Sequence, residues 1–317
     1  MTFSVTVPAF KPQFLEECIL SVLGQSFTDF ELIIVDDHSP ADLASIIAPF
    51  LSDSRVRYYR NEENVGAVDV VSNWNRCLGY CRGDYMICMG DDDRLLPDCL
   101  KDYADLIKTV PDLGVYHMRT QIIDEKSEIT DTLEGRPQYE SSLEMLEKRL
   151  QGRTQFIGDF CFRVSLLRSN NGFFYLPLAW GSDDLTAYIA AKGNGNDIVD
   201  GIANAAEPGF QYRVHSQTIS SQRYSRVKLD SLISLNDWLL DDLRKRKEQE
   251  PDKSGTIDRV GSELKQYMRR RARFFIRNDI AERHRGTLYW VKRRNGLYLS
   301  VFEIAFLSLK ALLKGAC

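Results

Sequence analysis

The sequence predicts an α/β fold, a mainly parallel sheet wound with helices, followed by a helical C-terminal extension. Three observations carry this. Short apolar runs alternate with amphipathic helical stretches over residues 3 to 221. Two of those runs end in carboxylate clusters, Asp36-Asp37 and Asp91-Asp92-Asp93. From Arg226 onward the pattern changes to longer amphipathic and basic stretches. Strands alternating with helices are the signal of a parallel sheet. The expected division is an α/β domain over 1–225 and a helical extension over 226–317.

Phe3 to Val7 alternates as a strand does and stops at Pro8. A helix from Pro12 to Gly24 puts Phe14, Leu15, Cys18, Ile19, Val22 and Leu23 on one face. Phe30 to Val35 reads as a buried strand ending in Asp36-Asp37-His38-Ser39. A helix over 41–51 leads to a strand over 56–59, then to a polar, turn-prone loop from Arg60 to Gly66. A helix over 67–81 precedes the strand Tyr85 to Met89, which is apolar on both faces.

After Pro97 the spacing predicts a helix over 100–109, a strand over 114–118 and a strand-like stretch over 122–132 ending in a polar loop. A helix over 142–151 and a strand over 160–164 follow. Residues 169 to 181 form an aromatic loop holding Phe173, Phe174, Tyr175 and Trp180. It opens into Gly181-Ser182-Asp183-Asp184 and the apolar helix Leu185 to Ala191. The polar segment Tyr212-Arg-Val-His215-Ser-Gln-Thr218-Ile-Ser220 comes just after Pro208-Gly209. An amphipathic helix over 229–240, an exposed charged connection over 241–256 and a basic helix around Arg269 to Arg273 complete the reading. The last stretch, 292–317, is strongly apolar with basic residues at its start. It suits a membrane interface, or packing on the rest of the chain or on a second copy in a homodimer.

Composition narrows the function. A formal net charge of −4 argues against nucleic-acid binding, which needs a basic surface. Seven scattered cysteines fit free thiols in a reducing compartment. The opening residues lack a signal-peptide pattern, and no run of about 18 uncharged apolar residues reads as a spanning helix. The expected location is cytoplasmic, peripheral at the inner face of the plasma membrane if the C-terminal stretch engages it.

Three carboxylates at the end of a buried strand are costly. Two unit charges about 4 Å apart repel by roughly 1 kcal/mol in water and by several times that beside a low-dielectric wall. A divalent cation is the simplest offset, and hard oxygen ligands suit Mg²⁺ or Mn²⁺. The plainer reading is a solvated turn before the next helix. Strands of a parallel sheet share a carboxyl edge where ligands gather, so Asp36, Asp37 and Asp91 to Asp93 are expected around one crevice. Ser39 also serves as a helix cap, and Ser182 or Asp183 serves equally as the cap of the helix after it. No glycine-rich phosphate loop is present, and Gly193-Asn-Gly195 reads as a turn.

In order, Val5-Thr-Val-Pro-Ala-Phe10, Phe30 to Ser39, Asn64-Val-Gly66 with Asn73 to Leu78, Gly83-Asp-Tyr85 and Gly90-Asp-Asp-Asp93 resemble glycosyltransferase family two. The resemblance covers about residues 3 to 221. It implies a GT-A, Rossmann-like fold and an inverting enzyme that moves a sugar from a nucleotide-sugar, often UDP-linked, to an acceptor hydroxyl.

Residue by residue, it implies that Pro8, Ala9 and Phe10 belong to the base-binding opening, with Phe10-Lys11 where Tyr-Asn is usual. Asp36 and Asp37 match the pair around uracil, and Asn64 and Gly66 the loop beside the nucleotide. The triplet resembles the DxD metal motif. Counted back from Pro97, the family's first Asp falls on Gly90 and its second on Asp92. Asp92 is then the expected metal ligand, with Asp91 on ribose or metal and Asp93 supporting. Asp183-Asp184 resembles a Glu-Asp pair whose second member is the catalytic base. His215, with Thr218 and Ser220, matches a closing loop that approaches metal or pyrophosphate.

The expectation is a metal-dependent transferase building a cell-surface polysaccharide such as capsule or O-antigen, with Mn²⁺ or Mg²⁺ as cofactor. Its partners would be a UDP-sugar donor and a glycan or lipid-linked acceptor. Two alternatives stand beside it: a nucleotidyltransferase on a related sheet, and a catalytically inactive sugar-nucleotide-binding scaffold.

Overall fold

Strand β1 (Phe3–Ala9) occupies an interior position in the sheet because it is apolar or small on both faces and buried almost throughout. The computed structural model describes residues 1–66, 69–215, 225–281 and 286–314. The elements around β1 follow the sequence rhythm: α1 (Leu15–Leu23), β2 (Phe30–Asp36), α2 (Leu43–Ile47), β3 (Val56–Arg60), α3 (Val70–Tyr80), β4 (Tyr85–Cys88), β5 (Arg94–Leu95) and α4 (Cys99–Thr109). Next come β6 (Val115–Ile123), β7 (Ile129–Thr132), β8 (Tyr139–Glu140), α5 (Ser142–Gln151), β9 (Phe160–Arg163), α6 (Val164–Ser169), α7 (Ser182–Lys192) and β10 (Ile202–Arg213).

The sheet order is β3-β2-β1-β4-β9-β6-β10-β5, with β7 on β6 and β8 on β10. From β3 to β4 all pairings are parallel. Beyond β4 the sheet is mixed: β9 runs antiparallel to both β4 and β6, while β10 lies parallel to β6. The parallel half brings the ends of β1, β2 and β4 to one edge, where both acidic clusters stand.

One strand has no counterpart in the sequence reading, and two expectations are corrected. The stretch before Tyr212 contains a twelve-residue strand, β10, across Pro208 and Gly209. Register shifts on either side of Pro208 absorb the missing donor, which is how proline is tolerated in a sheet. The strand expected at 114–118 continues to Ile123, and a turn separates it from β7. The charged stretch 241–249 is not a connection. It is the last part of helix α8 (Ser225–Gln249), and only the short turn Pro251–Lys253 separates it from α9 (Ser254–Ala281).

The chain divides into two units: Met1–Met145 with Thr154–Tyr175 and Ser182–Ser221, and Leu146–Arg153 with Leu176–Gly181 and Gln222–Cys317. The second unit is helical, with α8, α9, α10 (Thr287–Lys292) and α11 (Val301–Lys314). Its two short inserted segments are tied in locally. Arg270 donates to the carbonyl of Leu150 at 2.5 Å, and Ser231 donates to that of Pro177 at 2.7 Å. Trp180, in the same unit, lies under Lys228, 4.2 Å from its ring centre. Thr218 and Ser220 lie outside the described residues, as does the expected helix start at Ala67 and Val68.

Candidate functional site

Chain direction puts the ends of β1 and β4 side by side, and main-chain amides then decide where each carboxylate points. Asp91 turns toward β1, and its Oδ2 accepts from the amides of Phe10 and Lys11, both at 2.7 Å. Asp93 folds back on its own turn, accepting from Gly90 N at 3.1 Å and from Arg213 N at 3.0 Å. Asp92 differs. Its Oδ2 accepts from the Lys11 ammonium at 2.5 Å and lies 2.7 Å from Nε2 of His215. The triplet and His215 are buried. Gly90 is required by this packing, since a Cβ there would lie 2.7 Å from Oδ1 of Asp92 and 2.9 Å from Oδ2 of Asp93.

The charges settle accordingly. Burial pushes Asp91 up to about 6, with Lys11 opposing and Asp92 reinforcing. Burial also raises Asp93, and the charge of Asp92 adds to that. Burial works against ionising Asp92 too, but Lys11 and His215 outweigh it and hold the carboxyl below its ordinary value. The ammonium of Lys11 loses hydration, yet the three carboxylates more than compensate and raise its pKa.

Arg213 supports this turn from beneath. Fully buried at the end of β10, it donates Nε to the carbonyl of Asp92 at 2.7 Å and Nη2 to Glu17 at 2.7 Å. Its Nη1 donates to the carbonyl of Asp124 and to the hydroxyl of Ser127, each at 2.9 Å. The guanidinium stacks on Phe14, 4.2 Å from the ring centre, and the same ring meets His215 edge-on at 5.5 Å.

The Asp36-Asp37 pair organises the neighbouring loops. Asp36 accepts from Arg60 at 2.6 Å, from Tyr58 at 3.0 Å and from the amide of Ser39 at 2.8 Å. Ser39 in turn donates its hydroxyl to the carbonyl of Phe10 at 2.6 Å, which ties the ends of β1 and β2 together. Asp37 accepts from Asn61, Val65 N and Gly66 N at 2.7, 2.9 and 2.6 Å. A Cβ at Gly66 would lie 2.7 Å from Oδ2 of Asp37, so this approach needs glycine. Asn64 lines, with Asp69, Ser72 and Arg76 among others, a cavity of about 630 Å³. Phe10, beside Pro8 and Ala9, is 39% exposed.

Asp183 and Asp184 lie in the first turn of α7, where the helix dipole favours anions. Asp184 is buried, and its Oδ1 accepts from Gln155 Nε2 at 2.9 Å. Asp183 is half-buried. A chain of contacts links this helix to the triplet. Gln155 precedes Phe156, which stacks on Tyr212 at 3.8 Å, and Tyr212 precedes Arg213.

Of the expected metal residues, Asp92 and His215 are brought together and Asp93 is turned onto amides. Among the described residues no three His, Cys, Asp or Glu side chains form a metal-holding group. The pair does suit a cation whose remaining ligands come from water or from a donor. One hard carboxylate oxygen and one imidazole nitrogen converge, and an ammonium already stands there as a cation. Sequence reasoning missed three contributors. In the sequence Lys11 stands out only as the neighbour of Phe10 where Tyr-Asn is usual, and Arg213 only as part of a polar segment. Gln155 gives no sequence signal.

This architecture, with its acidic turn at the carboxyl edge of the parallel strands, is that of the GT-A class. The sequence pattern of Glycosyl transferase family 2 matches residues 4–170, more than half the chain, and the protein belongs to that family. A GalNAc(5)-diNAcBac-PP-undecaprenol beta-1,3-glucosyltransferase of Campylobacter jejuni is 28% identical over 178 residues, 54% of this chain and 55% of that protein. Chondroitin synthase of Escherichia coli is 28% identical over 128 residues, 40% of this chain and 18% of that protein. The chain thus spans about half or less of the length of these curated relatives. The crystal structure of S. aureus TarS 1-349 in complex with UDP-GlcNAc is similar in fold, with a TM-score of 0.64 at 14% identity, covering 99% of this chain and 92% of that one.

Proposed function

We propose that this chain is an inverting glycosyltransferase that moves a sugar from a UDP-sugar to a glycan or lipid-linked acceptor in cell-surface polysaccharide biosynthesis. The observation that carries the reading is the meeting of Asp92 and His215, 2.7 Å apart, on one cationic centre at the carboxyl edge of the sheet. Relatives whose names state glycan and undecaprenol-linked substrates support the acceptor class, and a fold neighbour with UDP-GlcNAc bound supports the donor class.

In this reading the base lies across Pro8, Ala9 and Phe10, with Asp36, Asp37, Asn64 and Gly66 shaping its pocket. Asp91 fixes the Phe10-Lys11 turn against the donor. Asp92 and His215 would hold Mn²⁺ or Mg²⁺, and Asp93 keeps the turn in shape. Bound there, a divalent ion would supply positive charge to the departing diphosphate. Asp184, oriented by Gln155, takes the proton of the acceptor hydroxyl as it attacks the anomeric carbon from the face opposite the leaving group. Asp183 flanks it at the helix start. A single displacement needs one base and no enzyme nucleophile, unlike retaining hydrolysis with its paired carboxylates.

In the helical unit, Val301, Phe302, Phe306 and Leu309 of α11 are exposed, with Lys310 over the Phe306 ring. No described helix is long and apolar enough to cross a membrane. The proposal is instead a peripheral contact with an anionic lipid surface.

The test is UDP release from UDP-sugars across pooled acceptors with Mn²⁺, comparing wild type with Asp184→Asn. The expected result is turnover in the wild type and its loss in the variant, by about 10²-fold or more. Equal turnover would remove Asp184 as base, and UDP binding without turnover on any acceptor would favour the scaffold alternative.

A further inference from the structure

We infer that Lys11 is a tethered counter-cation that holds the Asp92–His215 pair in the absence of metal and must be displaced before a divalent ion can bind. This rests on the proposed metal role of that pair. The geometry carries it. The ammonium sits 2.5 Å from Oδ2 of Asp92, 3.5 Å from Nε2 of His215 and 3.8 Å from Oδ1 of Asp91. The oxygen and nitrogen that would ligate a metal are therefore the two atoms the ammonium already faces. Asp93 has both carboxylate oxygens on main-chain amides and Asp91 has one, so Asp92 takes the shortest contact with the ammonium.

Electrostatics explains why a lysine belongs here. With the Asp92 carboxylate buried at the end of an apolar strand, the turn needs positive charge beside it. Whenever no metal is bound, the Asp92 carboxylate would otherwise stand buried without a cation. Lys11 removes that penalty. Its main chain is pinned by Asp91, so the backbone anchor stays while the long side chain can turn away. The displaced ammonium remains tethered beside the site as the chain's own cation for a phosphate.

Competition of this kind lowers apparent metal affinity by the fraction of molecules whose site is open. Free Mn²⁺ measured by electron paramagnetic resonance, without nucleotide, should therefore show tighter binding to Lys11→Met than to wild type, by about tenfold or more. Asp92→Asn should abolish binding in either background. A second readout guards against misfolding: Mn²⁺ should raise the thermal midpoint of Lys11→Met more than that of wild type. Equal or weaker Mn²⁺ binding by Lys11→Met, with Asp92 still required, overturns the counter-cation role and leaves the metal site standing. Binding that ignores Asp92, or is absent from both proteins, overturns the metal site and this role with it.

Discussion

Arg213 donates its Nε to the main-chain carbonyl of Asp92 across 2.7 Å, although the two residues are 121 positions apart. This bond joins the end of β10 to the turn after β4, and the same guanidinium reaches Glu17, Asp124 and Ser127. Replacing it leaves several acceptors without a donor inside the fold. Arg213→Met is expected to lose about 3 kcal/mol of stability, the scale for breaking a buried charge network. Denaturant unfolding measures it, and a loss below about 1 kcal/mol would show that Arg213 is not the strut of the turn.

Gln155 makes a separate prediction because its side-chain amide touches the proposed base. Its amide holds Asp184 at 2.9 Å. Gln155→Leu should lower kcat by about tenfold through a loosened carboxylate while leaving UDP affinity within twofold. Steady-state kinetics beside calorimetry of UDP binding separates the two. A change confined to UDP affinity would reassign Gln155 to the donor pocket.

Glu303 contributes to the pH dependence of the helical unit. The Ser300 amide, then Arg273 and Arg269, hold its carboxyl down at about 2. A folded value below the unfolded one favours the folded state when the group is ionised. That contribution is full above about 4.5 and is lost as pH falls toward about 2. Because the side chain is partly exposed, screening limits it to about 1 kcal/mol. Glu303→Gln should destabilise at pH 7 by that amount and converge with wild type near the acid end. Unfolding curves at a series of pH values check this, and a constant gap at all pH would remove the ion-pair explanation.

The exposed face of α11 predicts lipid binding. Phe302 is 87% exposed and Phe306 is 56% exposed, an arrangement that leaves apolar surface in water. Vesicles containing phosphatidylglycerol should retain the wild type and release Phe302→Ser/Phe306→Ser, with salt weakening both. Sedimentation of the wild type as a dimer that the same double variant splits would assign the face to a second copy instead.

Much of the first half of the fold was legible because its information is local. The runs at β1, β2 and β4 are almost entirely buried, and the ends of β2 and β4 carry Asp36-Asp37 and Asp91 to Asp93 within the same few residues. Helix α7 announced itself through the acidic start at Asp183-Asp184 and an apolar body. Strand β10 did not, because Pro208 and Gly209 contradict a strand locally and only pairing with β6 overrides them.

The site divides along the same line. The sequence by itself determined that buried carboxylates stand at strand ends and that positive charge must meet them, since burial and repulsion follow from residue type. Only the tertiary structure decided which oxygens take amides, that Lys11 and His215 meet on Asp92, and that Gln155 and Arg213 brace the two ends of the site. The reason is distance along the chain. His215 lies 123 positions from Asp92, and such a contact is fixed by sheet order rather than by any periodicity near either residue.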